Sequence, residues 1–293
     1  LDDQLMSNKD LLDNIKKLRE MTGVGFKDCK VAIDETNGDI EKSIEFLRKK
    51  GIAKASKKMS RTASEGLALV KEKDGQISLI EINSETDFVA KNQDFINFCK
   101  ELSEINFNTK GNLDKINETK MSNGILVKDN LVNLIAKIGE KITIRRANFL
   151  DNLKGSNFSY VHSAVEKGIG KIVSMVKLDG VLKDKNEDIG AKIAMHIAAS
   201  NPLAINKDEI DKNIVDKELE IIKAEILNSG KPADMAEKIS KGKISKFLND
   251  NSLLNQIWIM DPKKKVSDIL KENSIDKPLQ VIDFIRYKVG EGV

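Results

Sequence analysis

The stretch INSETDFVAKN at residues 82–92 joins two different hydrophobic patterns. The run before it, residues 76–82, alternates as a β-strand does, whereas the residues after it follow helical spacing. A strand-to-helix junction projects side chains from a rigid platform, which favours contact with another molecule. Within the junction, Phe88 is a large apolar wedge beside the fixed negative charge of Asp87. The alternative interpretation is structural, with Thr86 or Asp87 capping the helix and Phe88 filling the core.

The histidines and cysteines do not have the spacing of a metal or catalytic site. His162 and His196 lie far apart without a third ligand, and His196, among apolar residues, is interpreted as a hydrogen-bonded core histidine. Cys29 and Cys99 lie within helical patterns and are expected to be buried thiols. The sequence also lacks a GxxxxGK[ST] phosphate loop and a serine–histidine–acid motif. We therefore expect neither an enzyme nor a protein with a metal, cofactor or nucleotide site of its own.

The charge balance favours none of the charge-driven classes of protein. The chain has 293 residues, of which 49 are basic and 46 acidic, for a formal net charge of +3. Because the basic and acidic residues are nearly equal in number, the charge predicts no direct binding to nucleic acid and no attachment to membranes. The sequence has no apolar run of membrane-spanning length and no signal-peptide pattern, so we expect a soluble cytoplasmic protein, with an organellar matrix as the alternative. Residues 1–7 are interpreted as a leader or an expression scar.

Residues 8–51 predict a bundle of three short helices. Asp39 is placed to cap the third helix, which is expected to end at Gly51. The bundle resembles a ubiquitin-associated domain with residues 21–26 in its first loop. This resemblance supports a rival function, an adaptor that binds ubiquitin, although it leaves the rest of the chain unexplained. The expected core stripes are Leu11, Leu12, Ile15 and Leu18, then Val31 and Ile33, then Ile40, Ile44 and Leu47.

Residues 52–65 form a basic connector. Its positive charges are Lys54, Lys57, Lys58 and Arg61. Nucleic-acid binding is one explanation for this charge, but no aromatic residue is interleaved for stacking on bases and no motif supports it. We therefore interpret the connector as a solvated linker helix.

Two regions predict a two-part core of small antiparallel sheets with helices: residues 66–150, and residues 151–207 together with 250–293. In the first part, Asp74-Gly75 is a strong signal for a two-residue hairpin between strands. Helices are expected at 95–102, 131–138 and 189–200, strands at 67–71, 76–82, 141–150, 158–161, 171–178 and 279–289, and irregular structure at 106–124.

Residues 208–249 predict an antiparallel helical hairpin. Its first helix has the 4-3-4 spacing of helices that pack in pairs, with Val215, Leu219, Ile222 and Ile226 on the seam. Such a hairpin buries little by itself, so we interpret it as a protruding arm or as an element through which the protein dimerises. With the bundle and the two-part core, these elements define an α+β fold.

Several motifs, in one order along the chain, resemble those of the elongation factor Ts family. SETDFVAKN at residues 84–92 is similar to the family's signature, and LREMTGVGFKDCKVAIDETNGDIEKSIEFLRKKG resembles its N-terminal signature. HIAASNP, SGKP and FIRYKVGEGV follow in the family's order. Because the matches extend from about residue 10 to the last residue, the resemblance is much more specific than any one motif.

The resemblance implies a guanine-nucleotide exchange factor that binds elongation factor Tu·GDP during translation elongation. It implies that the junction enters the GTPase domain beside the magnesium site, where Phe88 acts as a wedge and Asp87 disturbs the contacts of the metal. The residues implied in this contact are Thr86, Asp87, Phe88 and Val89. The bundle is implied to bind the same domain through Met21, Thr22, Gly23, Val24, Gly25 and Phe26. A strand of the second half is implied to contact another domain of the partner near His162.

Overall fold

The computed structural model describes residues 8–22, 24–228 and 233–293, with side chains for 10–22, 24–228 and 237–293. The chain divides into two compact units. The first contains the described residues up to 67, together with 80–147 and 289–293, and the second contains 68–79 and 148–288.

The helices and strands confirm the α+β class with small antiparallel sheets. In chain order they are α1 (Asn8–Thr22), α2 (Phe26–Glu35), α3 (Ile40–Ser56), β1 (Glu65–Lys73), β2 (Gln76–Ser84), α4 (Asp87–Ala90), α5 (Gln93–Thr109), α6 (Leu113–Asn117), α7 (Val127–Ile138), β3 (Ile142–Leu150), β4 (Ser156–His162), β5 (Ile169–Gly170), β6 (Ile172–Asp179), α8 (Asp188–Ser200), α9 (Lys212–Asn228), α10 (Ala233–Asn251), α11 (Val266–Glu272) and β7 (Gln280–Lys288).

Helices α1, α2 and α3 pack around a shared apolar core in the first unit. Asp39 caps α3 as predicted, because its carboxylate accepts a hydrogen bond from the backbone N–H of Lys42 at 3.0 Å. Leu12 departs from the prediction and is 47% exposed, because one residue from Leu11 is about 100° around the helix. The core consists of Ile15, Leu18, Cys29, Ala32, Ile33 and Leu47.

The third helix continues beyond the predicted end at Gly51 and reaches Ser56. A Cβ at position 51 would lie 3.6 Å from Cβ of Ala136 and 3.7 Å from a methyl group of Val132, both on α7. These are ordinary van der Waals distances, so Gly51 lies inside α3 beside α7 and does not end the helix. The first part of the predicted linker consequently belongs to α3.

The four-stranded sheet has the order β3-β2-β1-β5, and the three-stranded sheet has the order β4-β6-β7. The predicted hairpin is confirmed: Asp74 and Gly75 have φ angles of 52° and 73°, which a two-residue turn between β1 and β2 requires. Strand β2 does not alternate between buried and exposed residues, and residues 77–84 are all buried. Both faces of β2 are therefore covered, and a strand covered on both faces has no exposed side.

In the second unit, β6 pairs antiparallel with both β4 and β7. Ser156 pairs with Leu178 at one end of β4, and His162 pairs with Ile172 at the other. Helix α8 packs on this sheet, and a Cβ on its Gly190 would lie 2.2 Å from the ring of Phe158. The apolar core here is formed by Val176, Leu178, Ile189, Ile193, Ala194, Ile197, Leu253, Trp258, Val266, Ile269, Leu270 and Leu279.

Helices α9 and α10 pack against each other in the second unit. Two residues of the predicted seam, Ile222 and Ile226, are buried, and Lys243 pairs with Glu225 across the helices at 2.6 Å. The predicted turn between the helices, at residues 229–232, lies outside the described residues.

The polar stretch 106–124 is more regular than predicted. Helix α5 continues to Thr109, and α6 follows after a short turn. The side chain of Asn112 accepts a hydrogen bond from the backbone N–H of Lys115 at 2.9 Å, which caps α6. Ile116 of α6 is fully buried, so its apolar contact together with the Asn112 cap stabilises this short helix.

Candidate partner-binding site

Phe88 is presented to solvent on a single helical turn. Helix α4 has four residues and follows β2 almost directly. Val89 and Ala90 are 4% and 6% exposed, whereas Phe88 is 78% exposed. The buried pair anchors the turn and leaves the aromatic ring in water. The alternative in which Phe88 fills the core is therefore wrong, and its exposure is what contact with a partner requires.

Asp87 lies beside Phe88 and forms an ion pair with Lys91. The two charged groups are 2.8 Å apart, and the side chains of Lys91 and Asp87 are 71% and 48% exposed. Lys91 Nζ also lies 5.9 Å from the centroid of the Phe88 ring. Water screens a pair this exposed, so it contributes less than about 1 kcal/mol. The carboxylate of Asp87 can therefore change partners at little cost in stability.

Thr86 is the N-cap residue of α4, but its side chain does not cap the helix. Its hydroxyl instead donates to Glu140 Oε1 at 2.8 Å, and its backbone N–H donates to Glu140 Oε2 at 3.0 Å. The capping interpretation of Thr86 is therefore wrong, because the charged acceptor on Glu140 engages the hydroxyl.

Glu85 is also held by residues that are distant in the sequence. Its Oε1 accepts from the backbone N–H of Lys141 at 2.6 Å, and the guanidinium of Arg61 lies 3.3 Å from its Oε2. Sequence reasoning missed Arg61, Glu140 and Lys141 as supports of the junction. Separations of 24, 54 and 56 residues between bonded partners leave no local pattern from which these contacts can be read.

Further back on β2, Glu81 is fully buried and strongly hydrogen bonded. A Cβ at position 290 would lie 1.9 Å from the carbonyl oxygen of Ser64, so the backbone approach at Gly290 requires glycine. The N–H of Gly290 also donates to Glu81, which brings the final segment of the chain against β2, the strand that leads to Phe88. The donors to the Glu81 carboxylate are Arg145 Nη1 at 3.0 Å, Arg146 Nε at 2.5 Å, Asn83 Nδ2 at 3.0 Å and Gly290 N–H at 2.9 Å.

The predicted contact loop at residues 21–26 joins α1 to α2 and also belongs to the first unit. Its two large apolar side chains face water, with Met21 54% and Phe26 46% exposed. Gly23 lies outside the described residues. The exposed pair is the part of this loop suited to partner contact.

The other described residues of the loop serve its conformation. The hydroxyl of Thr22 donates to the carbonyl of Leu18 at 2.6 Å, at the end of α1. Val24 packs against the bundle core. Gly25 is the N-cap residue of α2, and a Cβ there would have no neighbour within 4 Å.

A cavity of about 380 Å³ lies beside this loop. Asp28 on its wall pairs with Lys54 at 2.9 Å and with Lys50 at 3.1 Å. The hydrogen bond from Lys54, followed by that from Lys50, holds the pKa of Asp28 below its usual value. The remaining wall is formed by Arg19, Val24, Gly25, Leu47, Gly51, Asn133, Ala136 and Lys137.

His162 is exposed at the end of β4 and belongs to the second unit. The hydroxyl of Tyr160 lies 3.3 Å from His162 Nδ1. Ser163, which follows, has a φ of 52°, so the strand conformation ends at this point. Of the predicted contact residues, Phe88 and the loop at 21–26 share the first unit, whereas His162 does not.

His196 is a satisfied core histidine, as predicted. It is fully buried, its Nε2 lies 3.0 Å from Gln256 Oε1, and it stacks on Trp258 with ring centroids 5.1 Å apart. Burial lowers the pKa of His196, which favours the neutral ring. Within the described part of the chain, no group of three or more histidine, cysteine or acidic residues is arranged to hold a metal. No helix there is long and apolar enough to cross a membrane.

Comparison with known proteins identifies relatives along nearly the whole chain. The family model described as elongation factor TS matches residues 85–291, which begin at the Glu85 step of the junction. Elongation factor Ts of Clostridium kluyveri is 42% identical over 291 residues, covering 95% of this chain and 92% of the relative. The proteins of the same name from Xanthobacter autotrophicus and Rickettsia prowazekii are 41% and 40% identical, each over 95% of this chain and 92% and 91% of their own lengths. The chain therefore belongs to the elongation factor Ts family.

Proposed function

We propose that this protein is a guanine-nucleotide exchange factor that binds elongation factor Tu·GDP and promotes release of GDP during translation elongation. It acts without a catalytic or nucleotide-binding site of its own. The observation that carries the proposal is Phe88, an aromatic side chain 78% exposed on a turn with buried anchors, within the part of the chain matched by the family model. A large apolar group held in water gains free energy when a partner covers it.

Phe88 acts as a wedge in the GTPase domain of the partner. Burying its side chain contributes about 2–3 kcal/mol, equivalent to about 30–150-fold in affinity. When the pocket for the ring opens only without nucleotide, this energy favours the nucleotide-free partner. Linkage then requires that GDP weaken binding of the factor by the same ratio by which the factor weakens binding of GDP.

Asp87 acts on the contacts that hold the magnesium ion of the partner. The ion neutralises the phosphates of GDP, so that a displaced ion leaves the nucleotide less tightly bound. The exposed pair of Asp87 with Lys91 supports this role, since its carboxylate is not committed to the core of the protein.

Two further surfaces bind the same partner. The exposed side chains of Met21 and Phe26, on a bundle of the ubiquitin-associated type, contact the GTPase domain. His162 contacts a second domain of the partner, and this second contact holds the partner while Phe88 inserts into the GTPase domain. Helices α9 and α10 form an arm or a dimerisation element. The protein does not bind nucleic acid directly and does not attach to membranes. It acts in the cytoplasm or in an organellar matrix.

Release of fluorescent GDP from elongation factor Tu tests the proposal. Adding this protein with excess unlabelled GDP should accelerate release in a saturable manner. An unchanged rate would refute the exchange function, as would tight binding of GDP to this chain alone. Measurable ubiquitin binding without any effect on the partner would establish the adaptor function instead.

Asp87→Ala tests the role of the carboxylate separately. We expect slower GDP release at saturating factor and an unchanged melting temperature, because the pair with Lys91 is exposed. Asp188→Ala is a matched control, since Asp188 forms a similarly spaced, exposed pair with Lys192 at 2.6 Å. Equal release rates for Asp87→Ala and the parent protein would remove Asp87 from the mechanism.

A further inference from the structure

Two dipeptides that are far apart in the sequence are joined by reciprocal carboxylate–backbone hydrogen bonds immediately before α4. Glu85-Thr86 follows β2, and Glu140-Lys141 lies between α7 and β3. The Glu85 carboxylate accepts from the backbone N–H of Lys141 at 2.6 Å, and the Glu140 carboxylate accepts from that of Thr86 at 3.0 Å. Each carboxylate therefore binds the backbone of the opposite dipeptide. We call these four residues the carboxylate clamp.

Thr86 uses both of its donors inside the clamp. Its hydroxyl donates to Glu140 Oε1 at 2.8 Å, so side chain and backbone end on the same carboxylate. Hydrogen bonds to an ionised acceptor are stronger than those between neutral groups. Thr86 and Glu140 are both half-buried, which reduces screening by water. To donate to a partner, the hydroxyl must first leave Glu140.

The clamp also fastens the segment that follows α3. Lys141 Nζ donates to the backbone carbonyls of Met59 and Arg61, each at 2.8 Å. Arg61 in turn pairs with Glu85 at 3.3 Å. The predicted solvated linker is therefore bonded, at its far end, to the same residues that support the junction.

Helix α4 depends on such support for its direction. It has four residues and no side-chain cap. A single helical turn is unstable alone, because forming it fixes the backbone dihedral angles of several residues and gains few hydrogen bonds. Val89 and Ala90 anchor its end, whereas the clamp holds the residues from which it starts.

We infer that Glu140 is a positioning residue for nucleotide exchange: through Thr86 it holds the start of α4, so that Phe88 is presented to the partner in one orientation. This inference rests on the proposed function. Thr86 then acts from within this protein and not by contact with the partner. Without the clamp, Phe88 remains exposed but must be ordered on binding, which lowers affinity.

The test is a double-mutant cycle on release of fluorescent GDP from elongation factor Tu. Glu140→Ala removes the acceptor, and Thr86→Val removes the hydroxyl while keeping the shape of the side chain. We expect Glu140→Ala to raise the half-saturating concentration of the factor roughly tenfold and Thr86→Val to raise it less, with little change in the rate at saturation. Thr86→Ser keeps the hydroxyl and should behave as the parent protein.

The double variant distinguishes positioning from contact. If Thr86 acts through Glu140, Thr86→Val adds little to Glu140→Ala. Effects that multiply would place the Thr86 hydroxyl on the partner and overturn the inference, as would a parent-like half-saturating concentration for Glu140→Ala. Glu118→Ala is the matched control, because it breaks the Glu118–Lys128 pair, an exposed contact of the same unit at 2.7 Å.

A partner-independent measurement separates failure of the clamp from failure of the proposed function. A nitroxide on Phe88→Cys reports the mobility of α4, and Cys29 and Cys99 should react little, since they are buried and burial raises their pKa values. Thr86→Val and Glu140→Ala should each increase this mobility at a temperature well below the melting transition of each variant. Unchanged mobility in both would overturn the inference even if the parent protein proves to be an exchange factor.

Discussion

Phe26 and Phe88 are both exposed phenylalanines of the first unit, but different forces hold them in place. Phe26 begins α2, a helix whose own residues form part of the local bundle core. Phe88 lies on a four-residue helix whose start is held by Glu140, 54 positions from Thr86. Local helix packing therefore presents one ring, and long-range polar contacts present the other. Changes to distant polar residues should affect Phe88 and leave Phe26 unaffected.

The largest effect is expected from Glu81→Ala, which removes the buried carboxylate beneath the Phe88 junction. Two arginines, Arg145 and Arg146, are then left largely buried without their shared partner. Breaking a buried ion pair in this way costs about 3–5 kcal/mol. Urea unfolding of the variant should show this loss in the free energy of unfolding.

Glu118→Ala is the control for that measurement and should cost less than about 1 kcal/mol, because its ion pair is exposed. A comparably small loss for Glu81→Ala would show that the platform beneath Phe88 does not depend on buried charge, and the contrast between the two rings would weaken.

Phe88→Ala should have the next largest effect, on exchange and not on folding. Removing the wedge should weaken the complex with elongation factor Tu by about 2–3 kcal/mol, or about 30–150-fold. Because the ring is 78% exposed in the free protein, the free energy of unfolding should change by less than about 0.5 kcal/mol. Calorimetric titration and thermal melts measure the two quantities. Leu153→Ala, at a residue 80% exposed, is the control for loss of an exposed apolar group.

Phe26→Ala should have a smaller effect on the same complex. The ring is 46% exposed, so the partner has about half of its area left to cover, and we expect a loss of about 1–1.5 kcal/mol. Leu12→Ala removes an apolar side chain of α1 that is 47% exposed and lies outside the loop. If Leu12→Ala weakens the complex as much as Phe26→Ala does, the contact surface of the bundle is not centred on residues 21–26.

The smallest effect concerns pH and the ion pairs of Asp28. Its pKa is lowered from 3.8 in the folded protein, mainly by Lys54, so the pairs contribute stability above about pH 4 and lose it as the pH falls through the lowered pKa. We expect Asp28→Asn to melt slightly below the parent protein at pH 7, by the equivalent of less than about 1 kcal/mol, and the difference to vanish once the pH is below the lowered pKa. A difference that persists there would mean that packing, not charge, distinguishes the two proteins. Exchange should be unchanged if local packing alone presents Phe26.

Local signals in the sequence were sufficient where one residue and its near neighbours carry the structure. The Asp39 cap and the Asp74-Gly75 hairpin depend on contacts within four residues, and both predictions are confirmed. The prediction that Gly51 ends α3 is wrong, because the helix continues to Ser56 and Gly51 lies beside α7, far away in the chain. The predicted exposure of Phe88 is confirmed, although a strand-to-helix junction alone does not decide whether its side chains face a core or water.

Motif order, periodicity and turn chemistry are properties of neighbouring residues, so they are enough to predict the family, the α+β class and the junction in which Phe88 and Asp87 lie. The 78% exposure of Phe88, the hydrogen bonds from Thr86 to Glu140 and the ion pair of Glu81 with Arg145 are visible only in the folded chain. These contacts join residues that are far apart along the chain. The sequence around a carboxylate does not indicate which donor will bind it in the folded protein. Hydrogen bonds and charge pairs depend on distances of about 3 Å, which only the packed chain defines.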